Sequence, residues 1–300
     1  MRRILALSAA AFLILAGALP SLAADDPSRL VIATGAEPDS IDITAGFFPP
    51  INYVILRNID EALWSYNEDG TIRQTVATWD YSKDKMTLVF HLKHGVKFHS
   101  GDEFTAEDVV FGFQRLMAKT RPFARHGKHV KKITAVDKYT VRLDFAEPDV
   151  NFFDGTSLFP ASKAYYDRVG EKEFATHPNG IGPYEFVAYK PAAHFDLKAF
   201  PGYYGKQPYY KNVRFEFVKD AETRVAKLRA GEADMIMDTP FPQVAALAKE
   251  GFRIVKLPAN PTVSIEFDLL NTKAPWADKR VREAVAHAVD GDAIVKGLFH

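Results

Sequence analysis

Three histidines, His91, His94 and His99, lie within nine residues in the segment HLKHGVKFH. Imidazole nitrogens are common ligands of zinc and copper, so a metal site is one hypothesis for this segment. If residues 93–95 form a three-residue hairpin loop with Gly95 in the left-handed conformation, His91 and His99 share one face with a lysine, and no carboxylate is in reach. We therefore interpret the segment as the solvated face of a hairpin, and we predict neither a metal nor a cofactor.

The same hairpin predicts which side chains of the segment are buried. Leu92 would pair with Val96, and Phe90 with Phe98, on the face opposite to His91. Because side chains alternate between the two faces of a strand, these four apolar residues would all point towards one core. The hairpin is thus expected to be buried on one face and solvated on the other.

An acidic cluster further along the chain suggests a second kind of chemistry. Paired carboxylates serve in glycosidases, and strand alternation would place Asp234 and Asp238 on one side of a strand with Ile236 between them. We identify no further acid or base partner, and no G-x-S-x-G, H-E-x-x-H or P-loop pattern occurs. The main prediction is that the protein is not an enzyme, and the alternative is a secreted hydrolase of peptides or glycosides that uses Asp238.

The N-terminal residues have the composition of a secretory signal peptide. Two arginines precede an apolar run over residues 4–19, and the small residues Ser21 and Ala23 suit cleavage. The run is shorter than the roughly 20 residues that a membrane span needs. We therefore expect residues 1–23 to be removed and the mature protein to be exported.

The composition also limits the compartment and the partners. The chain has no cysteine, which excludes disulfides, thiolate metal ligands and a lipid-modified N-terminal cysteine. An exported protein without a lipid anchor is retained only between two membranes, so we expect the periplasm. The 38 basic and 38 acidic residues leave no net charge that would attract nucleic acid. The basic segment at residues 124–132 is accordingly interpreted as a solvated loop.

The hydrophobic pattern predicts two kinds of architecture. Residues 86–145 alternate apolar and polar side chains as antiparallel strands do, and they include a helix capped by Thr105 with Asp108 three residues later. From residue 213 onwards strands and helices alternate, which indicates parallel pairing with right-handed crossovers. The elements predicted in this second region cover residues 213–218, 221–230, 233–237, 242–250 and 252–257, and Gly231 and Gly251 are expected to end the two helices.

The ends of the predicted parallel strands indicate where a ligand would bind. In open α/β sheets, ligands bind beyond the carboxyl ends of the strands. In this chain those ends are residues 34–38, 237–239 and 258–260. Phe47 and Phe48 follow the first of these ends. Two adjacent phenylalanines cannot both face one core, so a place in the binding site is one interpretation of this pair and core packing is the alternative. A binding site at this edge of the sheet is therefore expected.

The segment LVFHLKHGVKFHSGDEFTAEDVVFGFQRL forms one continuous strand–turn–strand–helix motif. This motif resembles the signature of family 5 of the extracellular solute-binding proteins, the receptors of ABC importers for peptides, nickel chelates and some sugars. NGIGPYEFVAY, YYGKQPYYKNVRFEFV, KLRAGEADM and NTKAPWADKRVREAVAHAVD follow in the family's order, although the family's GTGPY reads GIGPY at residues 180–184. The resemblance covers residues 30–300.

The resemblance implies an α/β, periplasmic binding protein-like fold of class II, cluster C, with two lobes around a hinge. It implies a first-lobe mixed α/β base subdomain at residues 24–60 and 175–262, with an antiparallel α+β subdomain inserted at residues 61–174. Residues 263–300 would form the hinge crossing and the start of the second lobe. Family members continue for about another 200 residues, so we expect the second lobe to be only begun and the chain to be truncated.

The resemblance also implies a ligand-binding cleft and a role in transport. The cleft residues that it implies, together with the strand ends, are Phe47, Phe48, Pro49, Phe123, Met237, Asp238, Thr239 and Val263. The ligand would be a peptide or another small solute, passed to permease subunits in the inner membrane, with no catalytic residue involved. A nickel chelate or an oligosaccharide is the alternative solute.

Overall fold

A computed structural model of the chain describes residues 26–45, 50–67, 69–118, 127, 129–149, 152–155, 158–256 and 265–299. The helices are α1 (Pro50–Leu56), α2 (Ala106–Leu116), α3 (Phe152–Gly155), α4 (Lys163–Phe174), α5 (Ala221–Arg229), α6 (Phe241–Lys249), α7 (Lys279–Ala288) and α8 (Gly291–Ile294). Within the described residues, no helix combines the length and the apolar character that a membrane crossing requires.

The strands form three separate sheets. They are β1 (Arg29–Thr34), β2 (Trp64–Tyr66), β3 (Ile72–Gln74), β4 (Ala77–Tyr81), β5 (Thr87–Leu92), β6 (Val130–Asp137), β7 (Thr140–Phe145), β8 (Tyr184–Lys190), β9 (His194–Ala199), β10 (Asn212–Phe217) and β11 (Met235–Ile236). The sheet orders are β11-β1-β10-β9-β8, β4-β5-β7-β6 and β2-β3.

The five-stranded sheet combines β1, near the start of the described chain, with four strands from residues 184–236. Its first strand, β1, is buried on both faces, with Val31 and Ala33 in one core cluster and Ile32 in another. Burial on both faces is typical of parallel strands, and β1 pairs in parallel with β10 on one side and β11 on the other. Strands β9 and β8 continue the sheet in antiparallel pairing. The predicted strand–helix alternation with parallel pairing is therefore confirmed.

One predicted strand of this region is wrong. Residues 252–256, which begin the strand predicted at 252–257, adopt no strand conformation. The reason lies in β11, which is at the edge of the sheet and has only two paired residues. Such a short edge strand offers little backbone to a further neighbour, so the apolar pattern of 252–257 does not produce pairing over its described residues.

The four-stranded sheet is antiparallel throughout and covers residues 77–145. Phe90 in its second strand is fully buried and stacks on Trp64, with ring centroids 5.8 Å apart and planes within 5°. The predicted antiparallel character of residues 86–145 is confirmed, and β6 and β7 pair as a hairpin. The subdomain boundaries at 60/61, 174/175 and 262/263 stay a prediction.

Helix α2 covers this sheet and begins as predicted. The backbone N–H of Thr105 donates to Asp108 Oδ2 at 2.8 Å, which is half of the expected capping box. Val109 and Phe113, one turn apart, face the core beneath the helix. Gly112 lies against the backbone of Phe159, so α2 approaches that segment more closely than any side chain would allow.

The hairpin predicted around residues 93–95 does not form. Both edges of β5 are already occupied, by β4 and by β7, so Val96 and Phe98 cannot pair with it. The chain turns instead at Gly95, which has the expected positive φ of 75°, and Lys97 bridges to Glu103. The burial prediction is nevertheless confirmed, because the apolar side chains of the segment are all in the core: Leu88, Phe90, Leu92, Val96 and Phe98.

Candidate functional site

The carboxyl ends of two parallel strands converge on one buried side chain, Arg224 of α5. Its Nη1 donates to the carbonyl oxygens of Val218 at 2.8 Å and Lys219 at 3.0 Å, directly after β10. Its Nε donates to the carbonyl of Met237 at 3.2 Å and its Nη2 to that of Asp238 at 3.1 Å, directly after β11. Arg224 is only 4% exposed, so the guanidinium connects the two strand ends from inside the protein.

The end of β1 lies against the same guanidinium. A Cβ added to Gly35, the residue after β1, would lie 2.9 Å from Arg224 Nη1. Glycine therefore leaves the space that the guanidinium fills. No carboxylate of the described residues forms an ion pair with Arg224, and the carbonyl dipoles of the strand ends stabilise its positive charge in place of an acid.

Three of the predicted cleft residues, Met237, Asp238 and Thr239, lie together at this edge. Asp238 has a φ of 53°, in the left-handed region that few residues other than glycine, asparagine and aspartate adopt. The bonds of Arg224 to the carbonyls of Met237 and Asp238 hold this conformation. The side chain of Asp238 is exposed, whereas Met237 is half-buried against the core of the five-stranded sheet. Their contact with a ligand stays a prediction.

The other predicted cleft residues lie outside the described residues. They are Phe47, Phe48, Pro49, Phe123 and Val263. The segment that leads to the first three is described as far as Ala45, and its buried residues Asp42 and Thr44 carry a polar cluster. That cluster anchors the described part of the segment after β1.

The polar cluster is centred on Arg115 of α2. Its Nη2 donates to Asp42 Oδ2 at 2.8 Å and its Nε to Thr44 Oγ1 at 3.0 Å, and all three residues are buried. The guanidinium also donates to both carboxylate oxygens of Glu171 in α4, at 2.5 and 3.2 Å. It lies over the ring of Phe174 with its carbon 4.6 Å from the centroid. Arg115 thus joins α2 and α4 to the loop after β1.

Sequence reasoning missed both buried arginines. The signal for Arg224 is its position between the predicted strands, on a short helix where the next residue, Val225, belongs to the buried face. The signal for Arg115 is an acid, Asp42, that follows the first strand end and needs a counterion if buried. Neither signal identifies the partner. Arg115 contacts an acid 73 residues earlier in the chain, and Arg224 contacts the ends of two different strands.

The histidines are separated rather than gathered into one site. His91 is exposed, and its Nε2 lies 3.1 Å from Asp80 Oδ2, so the expectation that no carboxylate is in reach is wrong. The Nε2 of His99 bonds the carbonyl of Gly182 at 3.0 Å, and the ring packs on Phe200. Burial lowers the pKa of His99. His99 therefore packs against the residues that flank β8 and β9 and does not lie on a solvated face.

The acids considered for hydrolysis also have separate positions. Asp234 Oδ2 accepts the backbone N–H of Val31 at 2.7 Å, at the start of the pairing between β11 and β1. Strand geometry ends at Ile236, and the left-handed backbone of Asp238 breaks the alternation on which the predicted carboxylate pair depended. Across the part of the chain that the structure describes, no three His, Cys, Asp or Glu side chains converge as metal ligands.

Known proteins resemble both the sequence and this fold. Residues 72–300 match the family described as "Bacterial extracellular solute-binding proteins, family 5 Middle". Heme-binding protein A of Haemophilus influenzae is 34% identical over 74% of this chain and 45% of its own length. The glutathione-binding protein GsiB of Pectobacterium atrosepticum is 29% identical over 90% of this chain and 53% of its own length.

A solved structure extends the match to three dimensions. The ABC transporter-associated periplasmic binding protein DppA from Helicobacter pylori, in complex with the peptide STSA, superposes with a TM-score of 0.76 and 27% identity. The superposition covers 90% of this chain and 58% of that chain, and it confirms the predicted fold class. The chain spans about half the length of the curated relatives that it matches. It belongs to family 5 of the bacterial extracellular solute-binding proteins.

Proposed function

We propose that this chain belongs to the periplasmic binding component of an ABC importer and captures a peptide or peptide-like solute for the membrane permease. Two similar proteins support a ligand of this class, since one is named for glutathione and the other was solved with a peptide. The observation that carries the proposal is the edge where β1, β10 and β11 end, with Arg224 holding Met237 and Asp238 in place. Ligands of open α/β sheets bind at such an edge.

The residues of this edge suit a solute with both polar and apolar groups. Asp238 offers an exposed carboxylate that can accept from an ammonium or amide, and Met237 offers a thioether surface that adapts to different side chains. Thr239 adds a hydroxyl, and the predicted loop at Phe47, Phe48 and Pro49 would add aromatic surface. With Phe123 and Val263, these residues form the proposed cleft.

We further propose that the protein has no catalytic activity of its own. The only hydrogen bond shown for Asp238 among the described residues is to its backbone carbonyl, and Asp234 is engaged with the backbone of β1. The test is incubation with a defined mixture of di- and tripeptides, followed by mass spectrometry of the products. Intact peptides are expected. Hydrolysis that Asp238→Ala abolishes would establish the alternative function, a secreted hydrolase.

Haem is the second candidate ligand. It is favoured by the similarity to Heme-binding protein A, at 34% identity over 253 residues. A haem would bind through its flat apolar ring and its two negatively charged propionates. The carboxylate of Asp238 would repel the propionates, whereas it would attract the ammonium group of a peptide. Asp238→Ala is therefore expected to weaken binding of a peptide and not of haem.

NMR titration of the labelled protein can test both ligands, since it detects weak binding and reports its place. Glutathione, trialanine and haemin would be added separately. We expect trialanine to shift the amide signals of Gly35, Met237 and Asp238, with an affinity lowered about tenfold in Asp238→Ala, roughly 1.4 kcal/mol. Asp167→Ala, which removes an exposed acid of α4, is the matched control and should bind normally. Shifts confined to other regions, or none at saturating ligand, would reject this site.

A further inference from the structure

A small cavity lies beside the polar cluster, between the loop after β1, the chain following α1, and the segments that flank α4. Its volume is about 10 Å³, near the smallest space that holds one water-sized particle. The polar residues that line it are Asp42, Thr44, Asp60 and Asn179. Apolar side chains, among them Ile41, Ile43 and Phe174, close the remaining walls.

Three of the four polar residues, Asp42, Thr44 and Asn179, are already paired. Asp42 Oδ1 accepts the backbone N–H and the hydroxyl of Thr44 at 2.8 and 2.6 Å, and Asp42 Oδ2 accepts from Arg115. The hydroxyl of Thr44 thus donates to Asp42 and also accepts a hydrogen bond from Arg115 Nε. Asn179 is bound to Ser100, with its Oδ1 accepting the backbone N–H at 2.8 Å. The polar groups of these three lining residues are therefore engaged by partners within the protein.

Asp60 is the exception among these residues. It is only 6% exposed, and its carboxylate makes no hydrogen bond or ion pair with the residues that the structure describes. Gly180 covers it so closely that an added Cβ would lie 2.5 Å from Asp60 Oδ1. Burial raises the pKa of Asp60 well above its usual range, and the nearby charge of Asp42 raises it further. A buried carboxyl in this situation needs either a proton or a cation.

The charges around the cavity favour a cation. Arg115 is the guanidinium of the cluster, and the three acids Asp42, Asp60 and Glu171 surround it or the cavity. Glu171 is half-exposed and bonded to Arg115 through both oxygens, and Asp42 shares the same guanidinium. Glu171 is in contact with solvent, so the two buried acids are Asp42, which has Arg115 as its partner, and Asp60, which has no cationic partner among the described residues.

We propose that this cavity binds one small monovalent cation of the Na⁺ class, with Asp60 as its charged ligand and oxygen atoms of Asp42 and Thr44 beside it. A single uncompensated carboxylate and a space for one water-sized particle match one monovalent ion. A transition metal is disfavoured, since the described residues bring no three His, Cys, Asp or Glu side chains together.

The bound cation would connect the loop after β1 to the chain that follows α1. Asp42 and Thr44 belong to the loop that leads to residues 46–49, and Asp60 is anchored through its backbone N–H to the carbonyl of Leu56 in α1. The site would thus fix the base of the predicted ligand loop. It does not depend on the proposed transport function, because it exists whether or not the protein binds a peptide.

Thermal unfolding in different salts tests this site. At equal ionic strength and neutral pH, the unfolding temperature should be higher in sodium chloride than in choline chloride by roughly 3 °C, as for an ion present at several times its dissociation constant. The unfolding temperature in potassium chloride shows whether the site also accepts a larger monovalent ion. Asp60→Asn should remove the difference between sodium and choline, whereas the exposed control Asp167→Asn should retain it.

Sodium NMR provides a second measurement that needs no variant. The unmodified protein should increase the relaxation rate of sodium ions in solution, and added potassium should reverse the increase by competition. Equal unfolding temperatures in all three salts together with unchanged sodium relaxation would overturn the proposal and leave Asp60 as a protonated acid. A sodium effect that persists in folded Asp60→Asn would also overturn it.

Discussion

Arg224 Nη2 donates a hydrogen bond of 3.1 Å to the carbonyl of Asp238, while Nη1 of the same guanidinium donates to Val218 at 2.8 Å. One side chain thereby fixes the distance between the ends of β10 and β11. It also stabilises the left-handed backbone of Asp238, which is the exposed acid at that edge. The position of a candidate ligand-binding residue is therefore determined by a buried residue that a ligand cannot touch.

Replacing this arginine should be costly. Arg224→Met keeps much of the apolar stem but leaves carbonyls of both strand ends without a donor, and we expect the free energy of unfolding to fall by roughly 3 kcal/mol or more. Urea unfolding followed by circular dichroism measures the loss. Arg229→Met, on the same helix but exposed and paired with Glu250, is the control and should change little. Equal losses in both variants would contradict the role assigned to Arg224.

Elements with local signals were predicted correctly from the sequence. Thr105 and Asp108 mark the start of α2 because a capping box needs only residues three apart. Gly231 and Gly251 follow α5 and α6 with positive φ of 70° and 95°, as helix-terminating glycines do. The strand ends at Met237–Thr239 could be identified because strand and helix alternate without interruption.

Features that depend on distant partners could not be predicted. The face of His99 depended on whether β5 had a free edge, and β7, some 50 residues later, occupies it. The burial of Arg224 and Asp60 depends on how the strand ends and the chain near Gly180 pack together. Charged residues are mostly exposed, so sequence alone assigns them to the surface unless a partner is known.

His99 should make stability depend on pH. Its Nε2 donates to Gly182, which leaves Nδ1 as a buried nitrogen with no partner among the described residues. Burial lowers the pKa of His99 below its ordinary value of 6.5, so in mildly acid solution the unfolded chain binds a proton that the folded chain does not. The free energy of unfolding therefore falls as pH drops below 6.5, by at most about 1.4 kcal/mol per pH unit from this residue.

The variant His99→Gln isolates this contribution. Glutamine can still donate to Gly182 but does not titrate, so stability should decrease less between about pH 7.5 and about pH 5.5 than in the unmodified protein. Urea unfolding at both values gives the comparison. His91→Gln, which changes an exposed ring, should keep the full decrease because His99 is intact. An unchanged decrease in His99→Gln would show that other groups cause it.

The ion pair of Arg115 with Asp42 should be strongly stabilising only while both partners are present. Arg115→Met leaves Asp42 buried without its counterion, and we expect a loss of roughly 3–5 kcal/mol. Adding Asp42→Asn to that variant removes the unpaired charge and should recover part of the loss. Arg142→Met, which breaks an exposed pair with Asp144, is the control and should have little effect. No recovery in the double variant would mean that packing by the arginine, rather than charge, accounts for the loss.

Gly112 should be one of the least replaceable residues of α2. Alanine normally favours a helix over glycine by about 1 kcal/mol, but here its Cβ would overlap the carbonyl oxygen of Phe159 and lie 3.0 Å from the nitrogen of Ala161. Both atoms belong to backbone, which cannot rotate away as a side chain can. Gly112→Ala should therefore displace α2 from the segment at Phe159 and lower the free energy of unfolding by roughly 1–3 kcal/mol or more.

The matched control for this prediction is Gly291→Ala in α8. Nothing lies within 4 Å of a Cβ added there, so the helix preference of alanine acts unopposed and stability should be unchanged or slightly higher. Thermal and urea unfolding of the two variants measure opposite signs of change for the same substitution in a helix. If Gly112→Ala is as stable as Gly291→Ala, the close approach between α2 and the segment at Phe159 is wrong, because no side chain could be accommodated at the spacing described.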